Sequence, residues 1–323
     1  MNVKKINMIY APILIPTLCR FSHFKRLIES LQKNSYAKYS DLYIALDYPA
    51  HDIHREGYNK ICEYLPFITG FNRVEVIKRP YNYGAGKNIE DARSLIFNTY
   101  DRVIVSEDDN VMSPNFLEFM DKGLDLFEND DAVFAINGYR HFYNIKFQGN
   151  TFFLQGVDFS AWGYGFWNKK FRKSQMNISR SYFIRGLLYP ASFYRIARCG
   201  CQKVLSLFSL ILSKGKIPMS DFTYSLYLMI EKKNVVMPTV SKVRNEGWDG
   251  SGINCDDENK LLSEIHNNQE LDNSVSFNYI GDGHSFYSEN RKIYVKENYA
   301  FVKWRLFPLR LVRILYDCML GKR

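Results

Sequence analysis

Between Phe159 and Ser220 the chain has no aspartate or glutamate, although eleven lysines and arginines stand in that run. Long apolar runs are missing too. The stretch Val204 to Leu212 is broken by serines and falls far short of the roughly 20 residues that cross a bilayer. Cysteine is sparse, with six in 323 residues. Only Cys199 and Cys201 lie close together, which excludes a zinc site built from two ligand pairs and leaves reduced cysteines as the expectation. The opening MNVKKINMIYAPILIP lacks a small-residue cleavage site and is interrupted by Pro12 and Pro16, so it is not read as a signal peptide. Zinc-finger, RNP and helix-turn-helix patterns are absent, so no nucleic acid is expected among the partners. A Walker A loop is excluded because Tyr81 stands where its first glycine belongs and Asn88, not Ser or Thr, follows Lys87. No G-x-G-x-x-G follows the first apolar run, which removes the dinucleotide fingerprint.

What is present is ordinary globular material, 46% hydrophobic and 24% charged, in a chain long enough to bury a sizeable core. The net charge is +9, and it is unevenly placed. Besides the acid-free run, the segment from Arg291 onward holds nine basic residues against Glu297 and Asp317. Cations alternate there with Phe, Tyr and Leu. Such asymmetry points to a negatively charged partner, an anionic lipid or a phosphorylated substrate. In the tail, Pro308 can start a helix with Leu309, Val312, Tyr316 and Met319 on one side, a pattern suited to an anionic membrane surface.

The first 140 residues alternate between strand-length apolar runs and helical periodicity. Strands are expected at Ile13 to Thr17, Leu42 to Leu46, Val74 to Ile77, Arg102 to Val105 and Val133 to Ile136. Helices are expected from a Ser22 cap, over His51 to Leu65, over Ile89 to Tyr100 and from Ser113-Pro114. This β-α-β rhythm implies an α/β fold with a mostly parallel sheet and helices on both faces. Beyond Gly149 the rhythm fails. Asp221 to Glu231 reads as one more helix, Val235 to Arg244 as extended and Asp256 to Asn278 as an acidic surface excursion. The organisation expected is a nucleotide-binding half over 1–150, a second half of the same domain over 151–290 and a basic tail over 291–323.

In open α/β sheets, ligands bind beyond the carboxyl ends of the strands. Three groups fall there: Pro16-Thr17-Leu18-Cys19-Arg20, Asp47, and Glu107-Asp108-Asp109. Three consecutive acids after a buried strand are costly unless compensated, and hard carboxylate oxygens suit Mg²⁺ or Mn²⁺ bridging to phosphate. In the loop Asn82-Tyr83-Gly84-Ala85-Gly86-Lys87-Asn88, the glycines allow backbone to approach a ligand, with Lys87 beside its phosphates. Trp162 and Trp167 are candidates to stack on a ring of a ligand, with Gly163 and Gly165 permitting close approach. The Asp249-Gly250-Ser251-Gly252 loop is a candidate cover, and His284 a weak candidate metal ligand.

PTLCR, LDYP, NYGAGKN and VSEDD, each at its place in the rhythm, resemble nucleotide-sugar glycosyltransferases of the GT-A fold. The likeness spans roughly residues 10 to 255 and is nearest the EDD-bearing branch that includes N-acetylglucosaminyltransferase I and bacterial surface-polysaccharide transferases. PTVSKVRN and GWDGSGINC also look like that bacterial branch. The resemblance implies that Pro16, Thr17 and Arg20 lie on the nucleotide and that Asp47 bonds the base or ribose. Asn82, Lys87, Asn88 and Glu107 would border the donor, with Asp108 at the ribose or transferred sugar. Asp109 would ligate a Mn²⁺ or Mg²⁺ ion that bridges the diphosphate. The acceptor's base would be Asp221, with Asp158 as the alternative.

The function implied is an inverting, metal-dependent hexosyl or N-acetylhexosaminyl transfer, from a UDP-sugar for preference. The acceptor would be a polyprenyl-diphosphate-linked glycan at the inner face of the cell membrane. A sugar-phosphate nucleotidyltransferase would want a Gly-rich basic loop after the first strand, which PTLCRFSHFKR lacks. A basic membrane-surface scaffold would leave Glu107 to Asp109 without a purpose.

Overall fold

The computed structural model describes residues 8–140, 151–199, 201–212, 217, 219–251 and 268–271, with single positions beyond (277, 308, 311, 312, 314 and 315). Most of the acidic excursion, Gly252, His284 and most of the basic tail lie outside the described residues.

In chain order the elements are β1 (Ile13–Thr17), α1 (Phe21–Gln32), β2 (Asp41–Leu46), α2 (Arg55–Tyr64), β3 (Arg73–Lys78), α3 (Ala85–Ile96), β4 (Arg102–Val105), β5 (Asn110–Met112), α4 (Phe116–Leu126) and β6 (Val133–Asn137). There follow β7 (Phe152–Gln155), β8 (Tyr164–Trp167), α5 (Asn168–Asn177), α6 (Arg180–Leu188), α7 (Pro190–Ala197), α8 (Cys201–Leu212), α9 (Asp221–Glu231), β9 (Asn234–Pro238) and β10 (Val243–Asn245). One eight-stranded sheet runs in the order β3-β2-β1-β4-β8-β6-β9-β7. The pairs β3/β2, β2/β1, β1/β4 and β6/β9 are parallel, while β8 and β7 run antiparallel to their neighbours. This is the expected α/β architecture with a mostly parallel sheet. Strands from both sides of residue 150 interleave in it.

Alternation along the strands sends side chains into two layers. Ile13, Ile15, Ile44 and Ile104 pack with Phe24, Leu27, Leu31, Phe116 and Met120 of α1 and α4. Leu14, Ala45, Val103 and Val105 face the other way, onto Ala92 and Ile96 of α3 and, through Phe166, onto the helices of the acid-free run. That run therefore forms the four helices α5 to α8, whose apolar sides Phe183, Ile196, Val204 and Leu207 are buried in the same layer.

Four helix starts differ from expectation. α2 begins at Arg55, after a single 3-10 turn over Asp52–His54, rather than at His51. α1 begins at Phe21, one residue before Ser22, and Arg20 precedes it without a side-chain cap. α4 begins at Phe116 rather than at Ser113-Pro114. Its Leu117 N–H is capped from outside by the Asn34 side chain at 2.9 Å, and the Ser113 hydroxyl bonds Asn115 instead. α3 begins at Ala85, so Gly86, Lys87 and Asn88 lie in a helical turn rather than in a loop. Gly84 takes φ +73° just before it, a conformation that glycine adopts without steric cost.

Candidate functional site

The strand order reverses between β1 and β4: β2 and β3 extend to one side of β1, and β4 lies on the other. Crevices at such a reversal are where open α/β sheets bind ligands. Thr17 ends β1 and Glu107 to Asp109 follow β4, so both flank this crevice.

The acids are held in place. Thr17 Oγ1 donates to Asp108 Oδ2 at 2.8 Å, and Arg20 forks between Asp108 and Asp109, reaching Asp109 Oδ2 at 2.8 Å. Thr17 and Arg20 thus serve the carboxylates directly, whatever they do for a ligand. Asp109 Oδ1 accepts a 2.8 Å bond from Asn245 Nδ2, which also reaches Asn110. Asn245 belongs to the small antiparallel pair of β10 with β5, in which it sits opposite Asn110. The turn after β10 presses onto the acids. A Cβ on Gly247 would stand 2.2 Å from Asp109 Oδ2, so any larger residue here must displace the turn or the Asp109 carboxylate. His23 and Arg26 of α1 fasten the same turn, through Asp249 at 3.1 Å and Glu246 at 2.8 Å. Asn245 closes the PTVSKVRN motif and Gly247 opens GWDGSGINC, but neither motif assigned them this clamping role, and His23 stood in no motif. A three-residue pairing across more than a hundred residues leaves no periodicity to read.

Glu107 is half-buried, and among the described residues it forms no ion pair. Burial first, then the charges of Asp109, Asp221 and Asp108, push its carboxyl up to about 8. Asp108 is also raised, by burial, against the pull of Arg20. The donor set is therefore hard oxygen with more negative charge than Arg20 balances, which suits a divalent cation such as Mn²⁺ or Mg²⁺. Among the described residues no three candidate metal ligands converge, so phosphate oxygens of a ligand would have to complete the shell around Asp109.

On the β2 side, Asp47 is buried and accepts from the N–H groups of Tyr48 at 2.9 Å and Tyr83 at 2.8 Å, while Asn82 bonds the Tyr48 carbonyl at 2.6 Å. These bonds pin the loop before α3 against the end of β2. The Lys87 ammonium lies 3.4 Å from the Tyr83 ring centre. Asn88, expected at the border of a donor, is turned inward. Its amide donates to the Ala45 carbonyl at 2.8 Å and accepts from Arg79 at 2.8 Å, and at 1% exposure it does not face a ligand. Pro16 lies within β1, paired with Ala45.

The two candidate bases differ in their surroundings. Asp158 is 7% exposed and ion-paired to Lys203 at 2.6 Å. Asp221 opens α9 just after the Ser220 cap and is half-buried, with the Ala161 backbone near its carboxylate. Burial, with Asp158 adding to it, pushes the Asp221 carboxyl up to about 6 against the opposing influence of Ala161 and Lys203. Asp221 acts on both Glu107 and Tyr164, and Tyr164 pairs with Val105 at the end of β4, so Asp221 lies at the acids' end of the sheet.

The aromatic expectations split. Trp162 follows Ala161 directly, is half-buried and stands edge-on to Tyr139 at 4.7 Å. Trp167 and Gly163 are corrected. Trp167 pairs with Arg102 at the start of β4, the end of the sheet away from the acids. It is 3% exposed, donates its indole N–H to the Leu124 carbonyl at 3.2 Å and is covered by Lys170 at 3.7 Å, so no sugar can stack on it. Gly163 is a packing glycine with φ +71°. A Cβ there would meet Val243 at 2.8 Å and Phe116 at 3.1 Å, which is why the chain needs glycine.

No family model and no curated protein matches this chain. Among solved structures it is similar to S. aureus TarS 1-349 in complex with UDP-GlcNAc, at 12% identity and TM-score 0.44 over 97% of this chain and 81% of that one. It is also similar to a Pyrobaculum calidifontis mannosyltransferase in complex with GDP-Man and Mn²⁺, at 10% identity and TM-score 0.42 over 97% and 88%. A match to a longer S. aureus TarS chain covers 25% of that chain, at 15% identity and TM-score 0.31. At these scores the likeness adds no weight of its own, and the functional reading rests on the side chains at the crevice.

Proposed function

We propose that the protein is a glycosyltransferase that uses a nucleoside-diphosphate sugar, a UDP-sugar for preference, and inverts the transferred centre. The observation that carries this reading is the juxtaposition at one crevice of an anchored acid run, Glu107 to Asp109, with a separate half-buried carboxylate, Asp221, beside Trp162. Asp109 would hold a divalent cation that neutralises charge on the departing diphosphate. Asp47, Asn82 and Lys87 would line the nucleotide side. Asp221 takes the proton of the acceptor hydroxyl as its oxygen bonds the anomeric carbon, while the bond from that carbon to the diphosphate breaks on the opposite face. A base near pH 6 is ionised at neutrality yet still basic enough to accept a proton in the transition state. Trp162 offers the acceptor ring a face.

The acceptor we propose is a polyprenyl-diphosphate-linked glycan for a surface polysaccharide, met at the inner face of the cell membrane. What supports this part is the excess of cations outside the crevice. A screen of nucleotide sugars for donor hydrolysis, with Mn²⁺ or Mg²⁺ and with EDTA, tests the reading. Metal-dependent release of one nucleoside diphosphate is expected. No hydrolysis of any donor, or binding of none, would reject it.

A further inference from the structure

The helices α6 and α7 meet at a corner that carries large apolar side chains in water. Leu188 is 73% exposed, and Tyr189 and Tyr194 are each 63% exposed. Along α6 the exposed positions are Arg180, Ser181, Ile184, Arg185 and Leu188, a single stripe at helical spacing. Pro190 and Ala191 continue the exposed surface into α7, and one turn on Tyr194 has the Arg198 guanidinium 5.5 Å from its ring. Four consecutive exposed residues, Leu188-Tyr189-Pro190-Ala191, therefore form the tip.

The inner sides of both helices are satisfied. Phe183 and Ile196 are buried, and α6 is capped by Ser179. Among the described residues the outward apolar side chains lie outside the core, and contiguous exposed apolar surface marks an interaction site. Its chemistry selects the partner. No acid lies anywhere from Phe159 to Ser220, and exposed Arg185 and Arg198 flank the tip. Glu231, at the end of α9, lines the neighbouring cavity of about 310 Å³ with Arg185 and Tyr189, and there it accepts a 3.0 Å bond from the Tyr182 hydroxyl. Tyrosines with a leucine between them and arginines that can reach outward suit the boundary of an anionic bilayer, where rings sit at headgroup level and cations meet phosphate.

We propose that the α6–α7 corner, centred on Leu188, Tyr189 and Tyr194 and ringed by Arg185 and Arg198, is the surface by which the protein docks on an anionic phospholipid membrane. This deepens the membrane part of the reading above. Its test reads binding to lipid and not transfer, so the two can fail separately.

The full chain is sedimented with vesicles of equal parts phosphatidylcholine and phosphatidylglycerol, and with phosphatidylcholine alone. Binding to the anionic vesicles is expected, with little to the neutral ones, and it should fall as salt shortens the reach of charge to about 10 Å at 0.1 M. Replacing Leu188, Tyr189 and Tyr194 together by serine should lower the partition by about tenfold or more, because each change removes apolar surface that the interface would bury. These side chains are exposed, so the variant should melt like the parent. Should it not, the double variant Arg185→Gln, Arg198→Gln serves as the test, with the same expected loss. Unchanged anionic-vesicle binding in either folded variant overturns the proposal. So does a parent that ignores anionic vesicles at low salt, or a protein that self-associates without lipid through these same residues.

Discussion

At the residue scale, Asp221 and Asp158 are two acids of one cluster with different surroundings, and the difference is testable. Asp221→Asn should abolish transfer, since a positioned base contributes about 10² to 10⁴ in rate, while Asp158→Asn should act mainly through the ion pair it strands on Lys203. In the parent, transfer needs Asp221 ionised, so kcat/KM should fall as the pH drops through about 6. Stability follows the opposite course. The folded carboxyl holds its proton up to about 6, against an ordinary 3.8, so the folded state loses stability as pH rises through that window and the cost persists above it. Asp221→Asn should therefore melt higher than the parent at pH 8 and alike below about pH 4. At about 1.4 kcal/mol per pH unit the gain is bounded near about 3 kcal/mol, and water at a half-buried carboxylate reduces it to about 1–2 kcal/mol. A lower melting temperature for the variant at pH 8 would show that the carboxylate is better solvated or better paired than its surroundings indicate. The tryptophans give a second contrast. Trp167→Ala should cost about 3–5 kcal/mol of stability. Trp162→Ala should leave the fold nearly intact and raise KM for the acceptor, and equal destabilisation by both would remove Trp162 from the site.

At the element scale, the turn after β10 determines whether the acids are held in place. Gly247→Ala puts a methyl where Asp109 Oδ2 lies, so the turn must lift, and the bonds from Asn245 to Asp109 and from Arg26 to Glu246 must stretch. We expect a loss of nucleotide affinity of about tenfold or more with a modest fall in melting temperature, measured by calorimetry on the folded variant. Unaltered affinity would mean that the turn plays no part in donor binding. Legibility also divides at this scale. β1 to β4 could be read because each is a short apolar run that ends at a polar cluster, and their parallel pairing follows from the helices between them. β8 could not. Tyr164 to Trp167 looks like an aromatic cluster fit for sugar binding. Its insertion between β4 and β6 turns that cluster into core, because an antiparallel entrant places Trp167 at the far end from the chemistry and Tyr164 beside it. Likewise Asn88 reads as a loop residue facing a ligand until α3 is seen to start at Ala85, which rotates it onto Arg79 and Ala45.

At the scale of the whole molecule, the charge asymmetry and the sheet reversal describe two ends of one design. The crevice between β1 and β4 is acidic and anchored, whereas the acid-free run folds into helices whose inner sides complete the core and whose outer corner is basic and apolar. The acid run and the donor loop were legible because chemistry at strand ends needs particular residues. The clamp by Asn245, Gly247 and His23 was not, because it is assembled by tertiary pairing. The measurement that bears most directly on the proposed division of labour is calorimetric titration of UDP with Mn²⁺ into the parent, Asp109→Asn and Asp221→Asn, alongside transfer assays of each. Expected are parent-like, metal-dependent binding without transfer for Asp221→Asn, and loss of both binding and transfer for Asp109→Asn, with all three proteins folded. Parent-like binding by Asp109→Asn, or transfer by Asp221→Asn, would contradict it.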